Sequence, residues 1–239
     1  YTQRGLAIEP GDVISHTEMC MAERAALQRG MNFRLRDDYS VLLMSLRCGA
    51  PYADRVEDGG STLIYEGHDV PRREGAPDPK TVDQPLQTPN GSLSQNGFFF
   101  EAALRYKSGQ GEPEPVRVYE KLRTGIWVYN GLFRLVDAWQ ERRNDRLVFK
   151  FKLTLASPTA TQRASERAGV ELEHDRLIPA AVKLEVWKRD KGRCVRCGSQ
   201  SNLHFDHIIP YSKGGSSLVV ANIQLLCAKH NLAKRDTID

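Results

Sequence analysis

Three cysteines and one histidine near the end of the chain fall into two short pairs, Cys194-x-x-Cys197 and Cys227-x-x-His230. A two-residue gap lets both side chains of a pair reach one ion. Three soft sulfurs with one imidazole form the tetrahedral set that a structural Zn²⁺ prefers. Between the pairs runs Leu203-His204-Phe205-Asp206-His207-Ile208-Ile209-Pro210, a short apolar strand carrying an acid next to an imidazole. Imidazole titrates near neutrality and can take a proton from water. The neighbouring carboxylate offers a hard oxygen to Mg²⁺ or Mn²⁺. Asn222 follows His207 by fifteen residues and Asn231 by twenty-four. The remaining cysteines, Cys20 and Cys48, stand alone and read as packing residues. An odd total of five cysteines, with no secretion signal opening the sequence, argues for a reducing compartment rather than a disulfide framework.

Holding these groups together requires a strand, the Lys213-Gly214-Gly215 turn, a second extended stretch and a helix over Leu225–Lys234, which is a ββα unit. An amphipathic helix with Leu177, Ala181, Leu184 and Trp187 on one face precedes it and runs to about Asp190. From Ile178 to Arg235 this arrangement resembles the HNH nucleases, whose ββα-metal fold is often clipped by zinc on paired knuckles. The resemblance implies His207 as general base, with Asp206 and the Asn231 side-chain carbonyl holding the catalytic metal. It implies Asn222 as the residue that holds the hairpin, and Lys234 and Arg235 as phosphate contacts. Many relatives carry a final Cys-His in the second knuckle where this chain has His230-Asn231. Counting from His207 gives the zinc to His230; a rival assignment puts His230 on the catalytic metal and leaves zinc one ligand short.

The 239 residues suit one large or two small domains. No apolar run approaches the ~20 residues of a membrane helix. Net charge is +4, unevenly spread: from Ile178 onward ten basic residues face five acids, while the remainder holds 24 against 25. A compact basic module favours an anionic partner, most often nucleic acid.

From about Val41 to Leu155 the pattern is β-rich, with strands expected at Val41–Leu46, Thr62–Tyr65, Phe98–Arg105, Val116–Glu120, Leu132–Ala138 and Leu147–Thr154. Five prolines between Asp69 and Asn90 mark a long loop. A short helix is expected over His16–Arg29. His16, His68, His174 and His204 read as packed or exposed residues. Within this region the runs Tyr52-Ala53-Asp54-Arg55-Val56-Glu57-Asp58-Gly59, Tyr65-Glu66-Gly67, Asp83-Gln84-Pro85-Leu86, Pro115-Val116-Arg117-Val118 and Tyr129-Asn130-Gly131-Leu132-Phe133 occur in that order. From Gly5 to Leu155 they resemble the SRA domain, a modified-cytosine reader on a PUA-like β-barrel. That family flips 5-methylcytosine out of the duplex between two aromatic rings, which Tyr52 and Tyr65 match here. An acid near the first tyrosine reads the cytosine amino group. The aligned slot holds Arg55, so Asp54 is the nearest candidate, and Asp83, Gln84 and Asn96 are read either as lining the pocket or its loops or as turn residues.

The expected fold class is therefore α+β: an N-terminal PUA-like SRA barrel with short helices over 1–157, a linker over 158–177, and a zinc-stabilised ββα-metal HNH domain over 178–239. The resemblances imply a prokaryotic, cytoplasmic endonuclease that restricts foreign DNA bearing 5-methylcytosine or 5-hydroxymethylcytosine. Its cofactors are structural Zn²⁺ and catalytic Mg²⁺ or Mn²⁺, and its partner is double-stranded DNA with modified cytosine. Linker reach sets the distance from base to cut, and double-strand cleavage calls for a homodimer. Two other readings stay open: a nuclease whose barrel binds RNA or unmodified DNA, and a non-catalytic zinc-stabilised binding module.

Overall fold

The computed structural model describes residues 8–47, 49–58, 61–156, 178, 180–210, 213–217 and 219–234. The expected linker with His174 lies outside the described residues, as do Cys48 and Arg235. The strands are β1 (Asp12–Ser15), β2 (Met31–Arg36), β3 (Tyr39–Met44), β4 (Arg55–Glu57), β5 (Thr62–Glu66), β6 (Glu114–Arg123), β7 (Ile126–Arg143), β8 (Arg146–Leu155), β9 (Leu203–His207) and β10 (Ile223–Cys227). The helices are α1 (His16–Glu23), α2 (Gln95–Lys107), α3 (Ala180–Arg189) and α4 (Ala228–Lys234).

Strands β4-β5-β8-β7-β6-β3-β2 follow one another in hydrogen-bonded order and wrap a core built from Met31, Leu42, Leu63, Val116, Phe133, Phe149, Phe151 and Leu153. The alternation expected of β8 is seen in Phe149, Phe151 and Leu153, all buried in this core. Lys150 lies between two of them in sequence, on the other face, where it is buried against Glu66 with Nζ 2.8 Å from Oε2. The β3–β6 pair is parallel and the other described pairs are antiparallel. The long connection between β3 and β6 holds β4, β5, the proline-rich stretch and α2.

Residues Phe98–Arg105 form the middle of α2 and are not a strand. Three consecutive phenylalanines favour a strand by propensity, but Ser94 caps the helix by accepting from Gly97 N at 3.2 Å. Tertiary packing then decides: Phe99 and Ala103, four apart, are buried in the barrel core. Helix α1 is shorter than expected. Its capping box joins Ser15 and Glu18, and Arg24 ends it in the left-handed region at φ 49°. The segment expected as helix from Leu225 opens instead as β10, because Leu225 pairs with Phe205 and Leu226 with His204, and both leucines are buried.

Strand β1 links the two halves. It pairs with β7 (Val13 opposite Val128, Ile14 opposite Trp127) and with β9 (Val13 opposite Leu203, Asp12 opposite His204). The hairpin β9–β10 thus extends the same sheet as the barrel strands. Under this junction Leu122 and Val128 of the barrel share one apolar cluster with Ile178, Val182, Val186, Phe205, Ile223 and Leu225.

Candidate functional site

Two sets of chemical groups stand out, one in the barrel and one around the hairpin. In the barrel, Tyr52, Asp54, Tyr65 and His68 line a cavity of about 770 Å³ together with Arg29, Met44 and Trp127. Tyr52 is half-buried, and its ring stacks on His68 with centroids 5.3 Å apart and planes 17° apart. Lys80 Nζ lies 4.1 Å from the centre of the same ring. Tyr65 is only 3 % exposed and belongs to the barrel core. Its hydroxyl donates to Leu43 O at 3.3 Å and lies 3.0 Å from His68 Nε2. Gly30 permits this approach, since a Cβ there would stand 2.6 Å from His68 Nε2 and 2.8 Å from the Tyr65 oxygen.

The Asp54 carboxylate accepts from Glu66 N at 2.9 Å and from Ser45 N at 3.3 Å. Burial outweighs these bonds and pushes its pKa up to about 7. Burial likewise pushes His68 down to about 4, so its ring is neutral near pH 7. Asn96 grips the His68 backbone from both sides, accepting from His68 N at 2.8 Å and donating to His68 O at 2.8 Å. Gln84 donates to Gly67 O at 2.6 Å and accepts from Phe149 N at 2.7 Å. Asp83 accepts from Leu147 N at 2.7 Å. None of the three lines the cavity: Asn96 fixes the backbone of His68, which does, while Asp83 and Gln84 tie their loop to β8. Arg55, in the slot where the SRA resemblance expects a cytosine-reading acid, is exposed and ion-pairs with Glu57 at 2.7 Å.

At the other end, the donor atoms of Cys194, Cys197, Cys227 and His230 all lie within 4.8 Å of one another. His230 Nδ1 is 3.4 Å from the Cys194 sulfur and 3.3 Å from that of Cys227, and Cys197 and Cys227 are 3.8 Å apart. Tetrahedral Zn–S bonds of ~2.3 Å require sulfurs ~3.8 Å apart, so the four donors fit that ion. Burial opposes ionisation of Cys194, but backbone N–H groups of Cys227, Cys197 and Arg196 turned toward its sulfur outweigh burial and lower its pKa. His230 faces these sulfurs, which is the arrangement in which it completes the cysteine set.

Asp206 and His207 end β9 and are both buried. Asp206 Oδ2 accepts from Gln224 Nε2 at 3.0 Å and lies 3.1 Å from Lys234 Nζ. His207 Nε2 lies 2.9 Å from the Ser217 hydroxyl. Asn222 accepts from Ile209 N at 2.8 Å and donates to Ile209 O at 3.1 Å and Ser216 O at 3.2 Å, tying the loop after β9 to the start of β10. Asn231 is half-buried on α4, three residues before Lys234 and therefore on the same helix face. Lys234 corrects one expectation. It is 1 % exposed and its ammonium is turned inward to Asp206 and the His207 carbonyl, so it is not a surface phosphate contact. The buried acid draws it in.

The SAD/SRA domain model matches residues 8–157, well over half of the chain. The chain belongs to the SAD/SRA family. The HNH endonuclease model matches residues 194–237, so an SRA domain is followed by an HNH domain in one chain. Comparison with curated proteins gives no match. Among solved structures, the SUVH5 SRA domain with fully methylated CG DNA is 23% identical, with a TM-score of 0.46 over 65% of this chain and 94% of that one. The same domain with fully hydroxymethylated CG DNA gives the same identity, score and coverage. SUVH6 of Arabidopsis thaliana in complex with SAM is 17% identical, with a TM-score of 0.40 over 70% of this chain and 29% of that one.

The SRA pocket thus gathers Tyr52, Asp54 and Tyr65, and the HNH hairpin gathers Asp206 and His207 with Asn222 nearby. Sequence reasoning passed over His68, Ser217 and Gln224. A histidine three residues after a pocket tyrosine was the available signal for the first. No pattern announced the other two, because loop and neighbouring-strand partners depend on the register of β9 with β10.

Proposed function

We propose that this chain is a modification-dependent DNA endonuclease that reads 5-methylcytosine or 5-hydroxymethylcytosine in duplex DNA and hydrolyses a phosphodiester nearby. The observation that carries the reading is the cavity in which Tyr52, Tyr65 and a buried carboxyl converge, in the same chain as an HNH hairpin with adjoining Asp206 and His207. The base flips into the cavity, where stacking on Tyr52 and Tyr65 offsets an unstacking cost of a few kcal/mol. Asp54 accepts from the cytosine amino group. His68 holds the Tyr52 ring by stacking and the Tyr65 hydroxyl by contact, so both walls are set before the base arrives.

In the nuclease, His207 takes the proton of the attacking water, and Ser217 fixes its ring by engaging Nε2. Asp206 and Asn231 would hold Mg²⁺ or Mn²⁺, which supplies charge stabilisation at the phosphate when bound. Gln224 and Lys234 orient the Asp206 carboxylate. Cys194, Cys197, Cys227 and His230 hold structural Zn²⁺ and clamp the start of α4 to the first knuckle. Restriction of modified foreign DNA in a prokaryotic cytoplasm, with two copies making a double-strand break, completes the reading.

Incubation with methylated and unmethylated plasmid in Mg²⁺ or Mn²⁺ tests it. Cutting confined to the methylated plasmid is expected, and equal cutting of both sinks the reader assignment. Preferential binding of RNA or plain duplex would favour the other PUA-like reading.

A further inference from the structure

We infer that the cut falls at a fixed spacing from the modified base, set by the joint between the two domains and not by the length of the chain connecting them. The inference rests on the proposed reading of the pocket and the hairpin. Strand β1 is bonded on one side to β7 and on the other to β9, so the nuclease hairpin is a lateral continuation of the reader's sheet. Backbone ladders of this kind have one register wherever a face is buried, because a one-residue slip turns every side chain over. Here that face is buried: Val128 and Leu122 from the barrel pack with Phe205, Leu225 and Val186 from the nuclease.

A second lock lies beside the ladder. Lys183 of α3 is 2 % exposed, and its ammonium reaches Glu120 Oε2 at 2.7 Å and Asn130 Oδ1 at 2.6 Å, both on the barrel. Asn130 also donates to Glu120 Oε2 at 2.9 Å, closing a three-membered polar knot across the joint. Such a knot is directional, and a buried lysine has no comparable partner in another pose. His204 Nδ1 lies 2.6 Å from Asp12 Oδ1 across the β1–β9 pair.

The register also gives a length. His16, the residue after β1 and the first of α1, lines the base cavity, while His207 ends β9 in the opposite direction. Val13 opposite Leu203 places them about seven residue rises apart, or roughly 23 Å at ~3.3 Å per residue. With ~3.4 Å per base pair, that is about seven base pairs from cavity edge to general base. Allowing for the depth of the cavity, the cut lies within about one helical turn, ~10 base pairs, of the modified base.

Cut sites would be mapped at nucleotide resolution on a labelled duplex carrying one 5-methylcytosine. The wild type would be compared with a variant carrying a flexible insertion of about ten residues between 160 and 175, beside an unmethylated duplex. The expected result is a narrow cluster within about one turn, unmoved by the insertion. A window that broadens or moves outward with the insertion overturns the inference. Lys183→Met should spread the window, and an unchanged window would remove the knot from the account. Hydrogen exchange on the full chain judges the joint without DNA. Amides of Leu203–His207 should exchange as slowly as those of β7, and fast exchange there overturns the docked arrangement. Cutting that ignores methylation, with those amides still protected, overturns the pocket reading instead, and the base-to-cut spacing with it.

Discussion

In the proposed mechanism, His207 is the residue on which the chemistry turns. His207→Ala should lower cleavage at least ~100-fold while binding to methylated duplex persists, because a general base contributes about 10²–10⁴. Retained cutting in a nicking assay would refute the assignment. Asp54 makes a pH prediction. Burial raises its pKa from 3.8 to about 7, so between those values the folded chain keeps a proton that the unfolded chain has released. Stability should therefore fall as pH rises through this window and level off above pH 7. The scale is roughly 4 kcal/mol, at 1.36 kcal/mol per unit. Asp54→Asn should flatten that fall in urea midpoints measured from pH 4 to 8; an unaltered slope would place the titration elsewhere. The two tyrosines differ as targets. Tyr65→Ala should cost roughly 3–5 kcal/mol, as large core truncations do, whereas half-buried Tyr52 tests stacking with less damage. Spacing made the cysteine set legible in the sequence, and the HNH resemblance pointed to Asp206-His207. His68 was not, since its role follows from where Asn96 pins its backbone.

At the scale of elements, periodicity revealed most strands of the barrel because Phe149, Phe151 and Leu153 alternate over a half-buried surface. It failed at α2, where phenylalanine propensity pointed to a strand and packing imposed a helix. It failed again at β1, whose four residues are too few for any period to register. The knuckles clamp β10 and α4, since Cys227 ends the strand and His230 lies within the helix. Cys197 is exposed, so Cys197→Ser leaves packing intact and isolates the metal's contribution. Bound zinc should fall from one per chain, the unfolding midpoint of the nuclease half should drop, and methylated duplex should still bind. An unchanged midpoint with chelator present would show that the cluster holds no structural ion.

For the whole molecule, the apolar cluster under the joint draws on both domains: Leu122 and Val128 of the barrel complete a core otherwise supplied from Ile178 onward. A fragment beginning near Ile178 should unfold at a lower urea midpoint than the same half of the full chain, even with zinc; an equal midpoint would contradict the shared core. In the proposed function, the basic surplus of the last quarter belongs to the half that approaches the scissile phosphate, while the near-neutral barrel discriminates through one cavity. The position of β1 has a consequence for biogenesis. Chains emerge from the ribosome N-terminus first, so β1 and β7 are made before β9 and β10, and the seat for the hairpin is built before the hairpin exists. The hairpin therefore docks on a sheet edge that has already formed. Chains that stall before the last strands would leave β1 with the edge that β9 covers unpaired, and a nick that frees the tail would strip the hairpin of Leu122 and Val128.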